Sequence, residues 1–211
     1  MKKYHCYSAN LDENTEKLFR SAVFLGQGNN GVVYKLPKRR VIKLFFDEKV
    51  WYDEAYILSK AGDSKYFPKL YEKGKMYIVR EMVEGTQLDK YIKKYGINKT
   101  ITNNIYRMTK EFKRLHFTKI DSRCKDIYIG ENYDLMLIDP KKYFKRKVNF
   151  PRHLMKGLLK LGVLDDFLFY MKEINIKKAN EWEENFYKYW EKESKKHIDS
   201  KKGLLQNRNK K

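Results

Sequence analysis

The chain has 211 residues, of which 42% are hydrophobic, with 17 tyrosines and 12 phenylalanines. This length fits one domain or two small lobes, and this apolar content excludes a chain that is disordered throughout. The formal net charge of +20 predicts attraction to an anionic partner, whether nucleic acid, a nucleotide, a membrane surface or an acidic protein.

The two cysteines, Cys6 and Cys124, form no disulfide or metal-binding pattern, and the four histidines show no ligand spacing. This cysteine usage fits a reducing compartment. The sequence contains no signal peptide and no run of about 18 apolar residues. We therefore expect a cytoplasmic protein without a membrane span, or a protein of a host cytosol if the chain is a secreted effector or a viral protein.

Three glycines, Gly26, Gly28 and Gly31, follow the pattern G-x-G-x-x-G. In a dinucleotide-binding fold this pattern would open into a helix. Here the β-forming run 32–34 follows, which predicts that the glycines lie at the tip of a β-hairpin. Without Cβ atoms, they let backbone N–H groups approach a phosphate chain. Lys43, on the next predicted strand, can reach the same phosphates.

Residues 47–61 have the pattern of an amphipathic helix. Its apolar stripe consists of Val50, Trp51, Ile57, Leu58 and Ala61. Glu54 lies in the middle of this stripe, and a carboxylate on a buried face is costly unless a cation pairs with it. We predict that Lys43 is this cation. The alternative is that Glu54 lies at the edge of the stripe and points to water.

The sequence patterns of the remaining helices and strands in the first half are weaker. Residues 11–19 predict a short helix ahead of the first strand. Residues 67–71 and 76–81 predict two strands around a turn at Gly74, and a helix is expected from Leu88.

A second group of polar residues follows a long helix predicted within residues 100–117. The loop after this helix contains Asp121, Arg123 and Asp126, and Asp139 follows the next apolar strand. Loop aspartates taken singly are usually solvated turn formers. The spacing of these aspartates, the apolar strand between them and the glycine pattern of the first half together favour a site instead.

These stretches resemble the protein kinase-like superfamily over roughly residues 20–140. The glycine pattern, Lys43 and Glu54 are similar to the glycine-rich loop, strand lysine and helix glutamate of that superfamily. The spaced aspartates are similar to its catalytic and metal-binding loops. The short remainder resembles minimal atypical kinases, namely RIO-like kinases and bacterial or viral kinase-like proteins with a shortened C-lobe.

The resemblance implies an α+β, two-lobe kinase-like fold. The N-lobe, residues 1–85, would hold the glycine-rich loop, a five-stranded antiparallel sheet and one main helix. Residues 86–197 would form a short, mostly helical C-lobe. Residues 198–211 are rich in lysine and asparagine and are expected to be a basic, disordered tail.

The resemblance also implies ATP and Mg²⁺ as cofactors. ATP would be bound by Gly26, Gly28, Asn29, Asn30, Gly31, Val33 and Lys43, and by the backbone of Glu81 and Val83. The Mg²⁺ ligands would be Asp126 and Asp139. Asp121 would accept the proton of the attacking hydroxyl, Arg123 would contact the transferred phosphate, and Glu54 would hold Lys43.

Several positions depart from the superfamily pattern. Arg80 replaces the apolar residue expected behind the adenine, where it would reshape the pocket or pair with an acidic group. Lys119 and Ile120 replace His-Arg ahead of Asp121, so activity should not need prior phosphorylation. Pro140 follows Asp139 in place of phenylalanine, and no A-P-E motif is present.

The resulting functional expectation is an ATP- and Mg²⁺-dependent phosphotransferase, in the first place a serine/threonine protein kinase. Residues 141–160 contain eight basic and no acidic residues, which favours an acidic or phosphorylated protein substrate over nucleic acid. This segment is alternatively an ordinary solvated face. The competing functions are a small-molecule or lipid-sugar kinase, and a pseudokinase that binds acidic partners or nucleic acid. A monomer is expected.

Overall fold

The computed structural model describes residues 11–208, with side chains as far as residue 195. The first part of the chain forms an antiparallel sheet with two helices. Its elements are α1 (Glu13–Phe19), β1 (Val23–Gly28), β2 (Gly31–Leu36), β3 (Arg40–Phe45), α2 (Glu48–Ala61), β4 (Leu70–Gly74) and β5 (Tyr77–Glu81). The spatial order of the strands is β1-β2-β3-β5-β4. The predicted α+β class and the five-stranded sheet are confirmed.

The two faces of this sheet have different roles because side chains alternate along each strand. One face packs Leu36, Ile42, Leu44, Tyr77 and Val79 beneath α1. Val33 and Lys43 are register partners on β2 and β3, and Val41 is the partner of Arg80. These side chains therefore lie on the opposite face of the sheet.

Helix α2 begins where the sequence predicts. Asp47 caps it by accepting a hydrogen bond from the Val50 N–H at 3.0 Å, which satisfies one of the free donors of the first turn. The helix buries Glu54 together with Ile57 and Leu58. The predicted stripe is thus the face that packs against the sheet.

Strand β4 begins at Leu70 rather than at residue 67. Phe67 is buried against Phe112 and Phe117, so it serves as a core anchor for the later helices. Pro68 has no N–H to donate to a sheet. The long helix, predicted to end at Leu115 and His116, ends at Arg114 with Leu115 as its C-cap, and His116 has a left-handed φ of 56°.

The second part of the described chain is mainly helical. It contains β6 (Thr86–Gln87), α3 (Leu88–Tyr95), α4 (Lys99–Arg114), a 3₁₀ turn (Cys124–Asp126), β7 (Ile127–Ile129), β8 (Leu135–Leu137), α5 (Arg152–Lys160) and α6 (Leu164–Arg208). Strands β6, β7 and β8 form a small antiparallel sheet. Helix α6 is interrupted at Asn175, whose φ and ψ of −160° and 91° are not helical.

A large core joins the helices to the inner side of the first sheet. Met108 and Phe112 of α4, Leu158 of α5, and Phe167 and Trp182 of α6 are buried in it.

The backbone of residues 198–208 forms the end of α6, where the composition predicts a disordered tail. Residues 209–211 of that predicted tail lie outside the described residues. No helix within residues 11–208 has the length and apolar content needed to cross a bilayer.

Candidate active site

The predicted glycine hairpin is present, with Gly28 paired to Gly31 and the turn at Asn29 and Asn30. A Cβ atom at Gly31 would lie 2.0 Å from the carbonyl oxygen of Leu44, whereas a Cβ at Gly28 would meet no atom within 4 Å. Gly31 is therefore required by the close approach of two strands. The open space at Gly28 is where backbone donors can meet a ligand.

A cavity of about 480 Å³ lies under this hairpin. It brings together nine of the predicted site residues, namely Gly28, Asn29, Asn30, Gly31, Val33, Lys43, Arg123, Asp126 and Asp139. Arg80, Gln87, Lys125, Ile138 and Lys141 complete its wall. Residues that are widely separated in sequence therefore meet in one site.

Lys43 is the centre of this site. Its Nζ donates to Glu54 Oε2 at 2.6 Å and also to Asp139 Oδ1. The side chains of Lys43 and Glu54 are only 4% and 1% exposed, so the predicted pair is buried and the alternative of a solvated Glu54 is wrong. Burial raises the pKa of Glu54, and the charge of Lys43 offsets part of that effect.

Asp139 is the more accessible carboxylate of the group, with 34% of its side chain exposed. Burial acts to raise its pKa, but Lys43, Lys141 and Arg80 together bring it below its ordinary value. Asp139 is therefore held as the anion, which is the form that binds a divalent cation.

Asp126 is held by Arg123, which donates through Nε and Nη2 to the two carboxylate oxygens at 2.6 and 2.9 Å. No group of three or more acidic, histidine or cysteine side chains in the described part of the chain could hold a metal alone. Mg²⁺ commonly binds one or two carboxylates and completes its shell with phosphate oxygens and water. Asp126 and Asp139, which line the same cavity, fit that donor set.

Asp121 does not face the cavity. Its side chain is fully buried; it accepts a hydrogen bond from the His153 N–H at 2.9 Å, and its Oδ2 lies 2.5 Å from His153 Nδ1. The ring of His153 is 40% exposed and lines an adjoining cavity of about 270 Å³ with Arg123, Asp126 and Asp139. The structure thus places His153 between the predicted proton acceptor and the cavity.

Sequence reasoning missed His153 because 32 positions separate it from Asp121, and no spacing pattern connects them. The only local signal is its place in the basic segment 141–160. The helix α5 that carries His153 packs beside the 3₁₀ turn. This packing, rather than a motif, creates the pair.

The predicted adenine contacts are arranged differently from the expectation. Glu81 N–H donates to the carbonyl of Lys69 at 2.9 Å, and the carbonyl of Glu81 accepts from Arg80 Nη1 at 2.8 Å. Glu81 and Val83 line a separate cavity of about 180 Å³, and Gly26 does not line the main cavity. The residues predicted to contact the phosphates line the main cavity except for Gly26, whereas Glu81 and Val83 line another cavity.

Arg80 is only 7% exposed, and its buried Nε has no hydrogen-bond partner among the described residues. Burial lowers the pKa of this guanidinium, while the charges of Glu54 and Asp139 act in the opposite direction. The sequence predicted that Arg80 would either reshape the pocket or pair with an acidic group. Its hydrogen bond to the Glu81 carbonyl fits the first of these roles.

The basic segment 141–160 is only partly a free surface. Lys145 lies 3.0 Å from Asp53 of α2, so this lysine ties the segment to the first part of the chain. Lys156 and Lys160 instead line a groove of about 440 Å³ together with Lys125 and Arg123. This cationic groove shares Arg123 with the main cavity.

No protein-family model matches this chain, and no curated protein matches it significantly. Similarity therefore assigns no family. The geometry of the cavity carries the functional argument.

Proposed function

We propose that this protein is a Mg²⁺-dependent phosphotransferase that moves the terminal phosphoryl group of a nucleoside triphosphate to a hydroxyl group. The observation that carries the proposal is Lys43, buried under a glycine hairpin and bonded to both Glu54 and Asp139. Phosphoryl transfer needs positioning and charge neutralisation more than covalent chemistry. A fixed cation beside a metal-binding carboxylate supplies both.

The order of the elements supports a kinase-like two-lobe fold as part of this proposal. The sheet β1–β5 with α2 precedes the helical part, as the resemblance implies. Lys43 lies on β3 and Glu54 on α2, so the sheet and its helix together hold the lysine. Asp139 comes from the segment after β8, so the site lies where the two parts meet.

Each residue then has a defined task. The open hairpin backbone at Gly28 would contact the phosphates, and Lys43 would bind their oxygens. Asp126 and Asp139 would hold Mg²⁺, which when bound neutralises the charge of the phosphate chain. Arg123, which now binds Asp126, would turn to the transferred phosphoryl group.

On the acceptor side, His153 is the group that lines the adjoining cavity, together with Arg123, Asp126 and Asp139. We assign it the task of accepting the proton from the attacking hydroxyl, since a neutral imidazole can do so at Nε2 while Nδ1 is held by Asp121. Asp121 is then a positioning residue. This modifies the expectation from sequence, in which Asp121 itself accepts the proton.

The substrate class proposed is an acidic or phosphorylated protein. The cationic groove formed by Lys125, Lys156, Lys160 and Arg123 supports it, because such a groove raises the local concentration of anionic partners. A pseudokinase is the second candidate. It is favoured by the bidentate bond between Arg123 and Asp126, which occupies one of the two metal-binding carboxylates.

A binding experiment separates these candidates. Thermal unfolding is measured with non-hydrolysable nucleoside triphosphates, with and without Mg²⁺, for the wild type and for Asp139→Asn. A ligand at a hundredfold excess over its dissociation constant should stabilise the fold by about 2.7 kcal/mol. Asp134→Asn is the matched control, because the Asp134 side chain is 65% exposed and its carboxylate pairs with the surface residue Lys65.

The phosphotransferase proposal expects a Mg²⁺-dependent shift that Asp139→Asn removes and Asp134→Asn retains. Transfer of labelled phosphate to acidic protein acceptors should then depend on His153. A metal-independent shift without any transfer supports the pseudokinase. No shift with any nucleotide contradicts the phosphotransferase proposal.

A further inference from the structure

We infer that the nucleotide site selects a base with a carbonyl group at its inner edge, a 6-oxopurine triphosphate such as GTP, over ATP. This inference rests on the proposed nucleotide-binding function. The inference depends on Arg80, a side chain with hydrogen-bond donors and no acceptor, which is buried in the wall of the cavity.

The register of the sheet places Arg80 beside the phosphate end of the site. Lys43 pairs with Ile78, and Arg80 lies two residues further along β5 on the same face. At roughly 3.4 Å per residue, this step is about 7 Å. Val33 and Ile138 line the same cavity and provide apolar contacts for a flat ring. A nucleotide with its phosphates at Lys43 therefore directs its base towards Arg80.

The chemistry at this end of the cavity is that of a donor. A guanidinium has five N–H groups and no acceptor. Arg80 Nη1 donates to the Glu81 carbonyl, and the Glu81 N–H is already bonded to Lys69. The exocyclic amino group of adenine would face a cation that cannot accept its hydrogens. The O6 and N7 atoms of a 6-oxopurine are the acceptors that arginine binds best.

The unpartnered Nε of Arg80 supports the same ligand. Arg80 is 7% exposed, and its Nε is buried with no hydrogen-bond partner in the described structure. Buried donors in folded proteins are nearly always paired. Only an acceptor, such as the carbonyl oxygen of a base, can pair with such a donor, whereas an amino group cannot.

The test measures binding rather than turnover. Dissociation constants are determined by calorimetry with Mg²⁺ for the imido analogues of ATP, GTP and inosine triphosphate, and for tripolyphosphate. We expect the GTP and inosine analogues to bind at least about tenfold more tightly than the ATP analogue. Inosine lacks the 2-amino group of guanine, so equal binding of the two assigns the preference to O6.

Arg80→Met should remove this preference and bring the affinities to within roughly twofold of each other. Arg39→Met is the matched control, since the Arg39 side chain is 71% exposed and pairs with Glu84 at the surface. This variant should bind each nucleotide with the affinity of the wild type. If Arg80→Met does not fold, Arg80→Lys and the wild-type comparison of inosine and adenine analogues decide the question. Lysine keeps the charge but loses the planar fork, so the preference should fall.

Failure of the proposed function and failure of this inference give different results. A wild type that binds neither nucleotides nor tripolyphosphate overturns the proposed function. A wild type that binds tripolyphosphate and prefers the ATP analogue overturns this inference alone. Equal affinities for all three nucleotides, weakened equally by Arg80→Met, show that Arg80 contacts phosphate and also overturn it.

Discussion

Replacing Lys43 with methionine removes the cation from a buried charged group while keeping a side chain of similar length. Glu54 would then be a carboxylate with 1% of its side chain exposed and no cation bonded to it. Breaking a buried pair by removing one partner costs roughly 3–5 kcal/mol. Because native domains are stable by only about 5–15 kcal/mol, we expect Lys43→Met to lose a large fraction of the free energy of unfolding.

The stability that Lys43→Met loses should depend on pH in a defined direction. Burial already raises the pKa of Glu54, and removal of Lys43 raises it further. A group with a raised folded-state pKa binds its proton more tightly in the folded state, so the folded state is favoured as pH falls. The deficit of Lys43→Met should therefore be full at high pH and should shrink as pH falls through the raised pKa of Glu54.

Urea denaturation, followed by tryptophan fluorescence and circular dichroism at about pH 5 and pH 8, measures both effects. The double variant Lys43→Met/Glu54→Leu should recover most of the stability, because a buried ion pair can be replaced by packed apolar residues. The control is Lys17→Met, since the pair of Lys17 with Glu13 has a similar length of 2.7 Å but is 64% and 83% exposed. If Lys43→Met costs no more than this control, and the double variant recovers nothing, the burial argument is refuted.

Gly31→Ala should destabilise the hairpin and weaken triphosphate binding, because its Cβ would lie 2.0 Å from the Leu44 carbonyl; thermal unfolding and nucleotide titration check this, and a wild-type result would contradict the register. Gly157→Ala should cost about 1–3 kcal/mol by overpacking, because its Cβ would lie 2.7 Å from Cys124 Sγ. Adding Cys124→Ala should restore stability, and additive losses in denaturant would show that the two sites do not touch. Burial raises the pKa of Cys124 to about 12, so in a Cys6→Ser variant alkylation at pH 8 should be slow until urea unfolds the chain; rapid labelling would mean that Cys124 is accessible.

Features that depend on neighbours along the chain could be predicted from the sequence. The run 32–34 after the glycines predicted a hairpin, and the hairpin is present because β-formers continue the strand on both sides of the turn. The position of Glu54 within an apolar stripe predicted a buried ion pair with Lys43. Both predictions are confirmed, since periodicity alone fixes which face of a helix is buried.

Features that depend on contacts between distant segments are set by how the folded chain packs. The packing of α5 places His153 against Asp121. The sequence predicted Asp121 in the cavity, and this prediction failed because a spacing pattern does not encode which groups cover a side chain. In β5, an interior strand of the sheet, Arg80 donates to the Glu81 carbonyl and the Glu81 N–H bonds to Lys69, a residue 12 positions earlier in the chain. The local sequence pattern shows which segments favour helices or strands and which of their faces are apolar. The partner of a polar group is set only when these elements pack together.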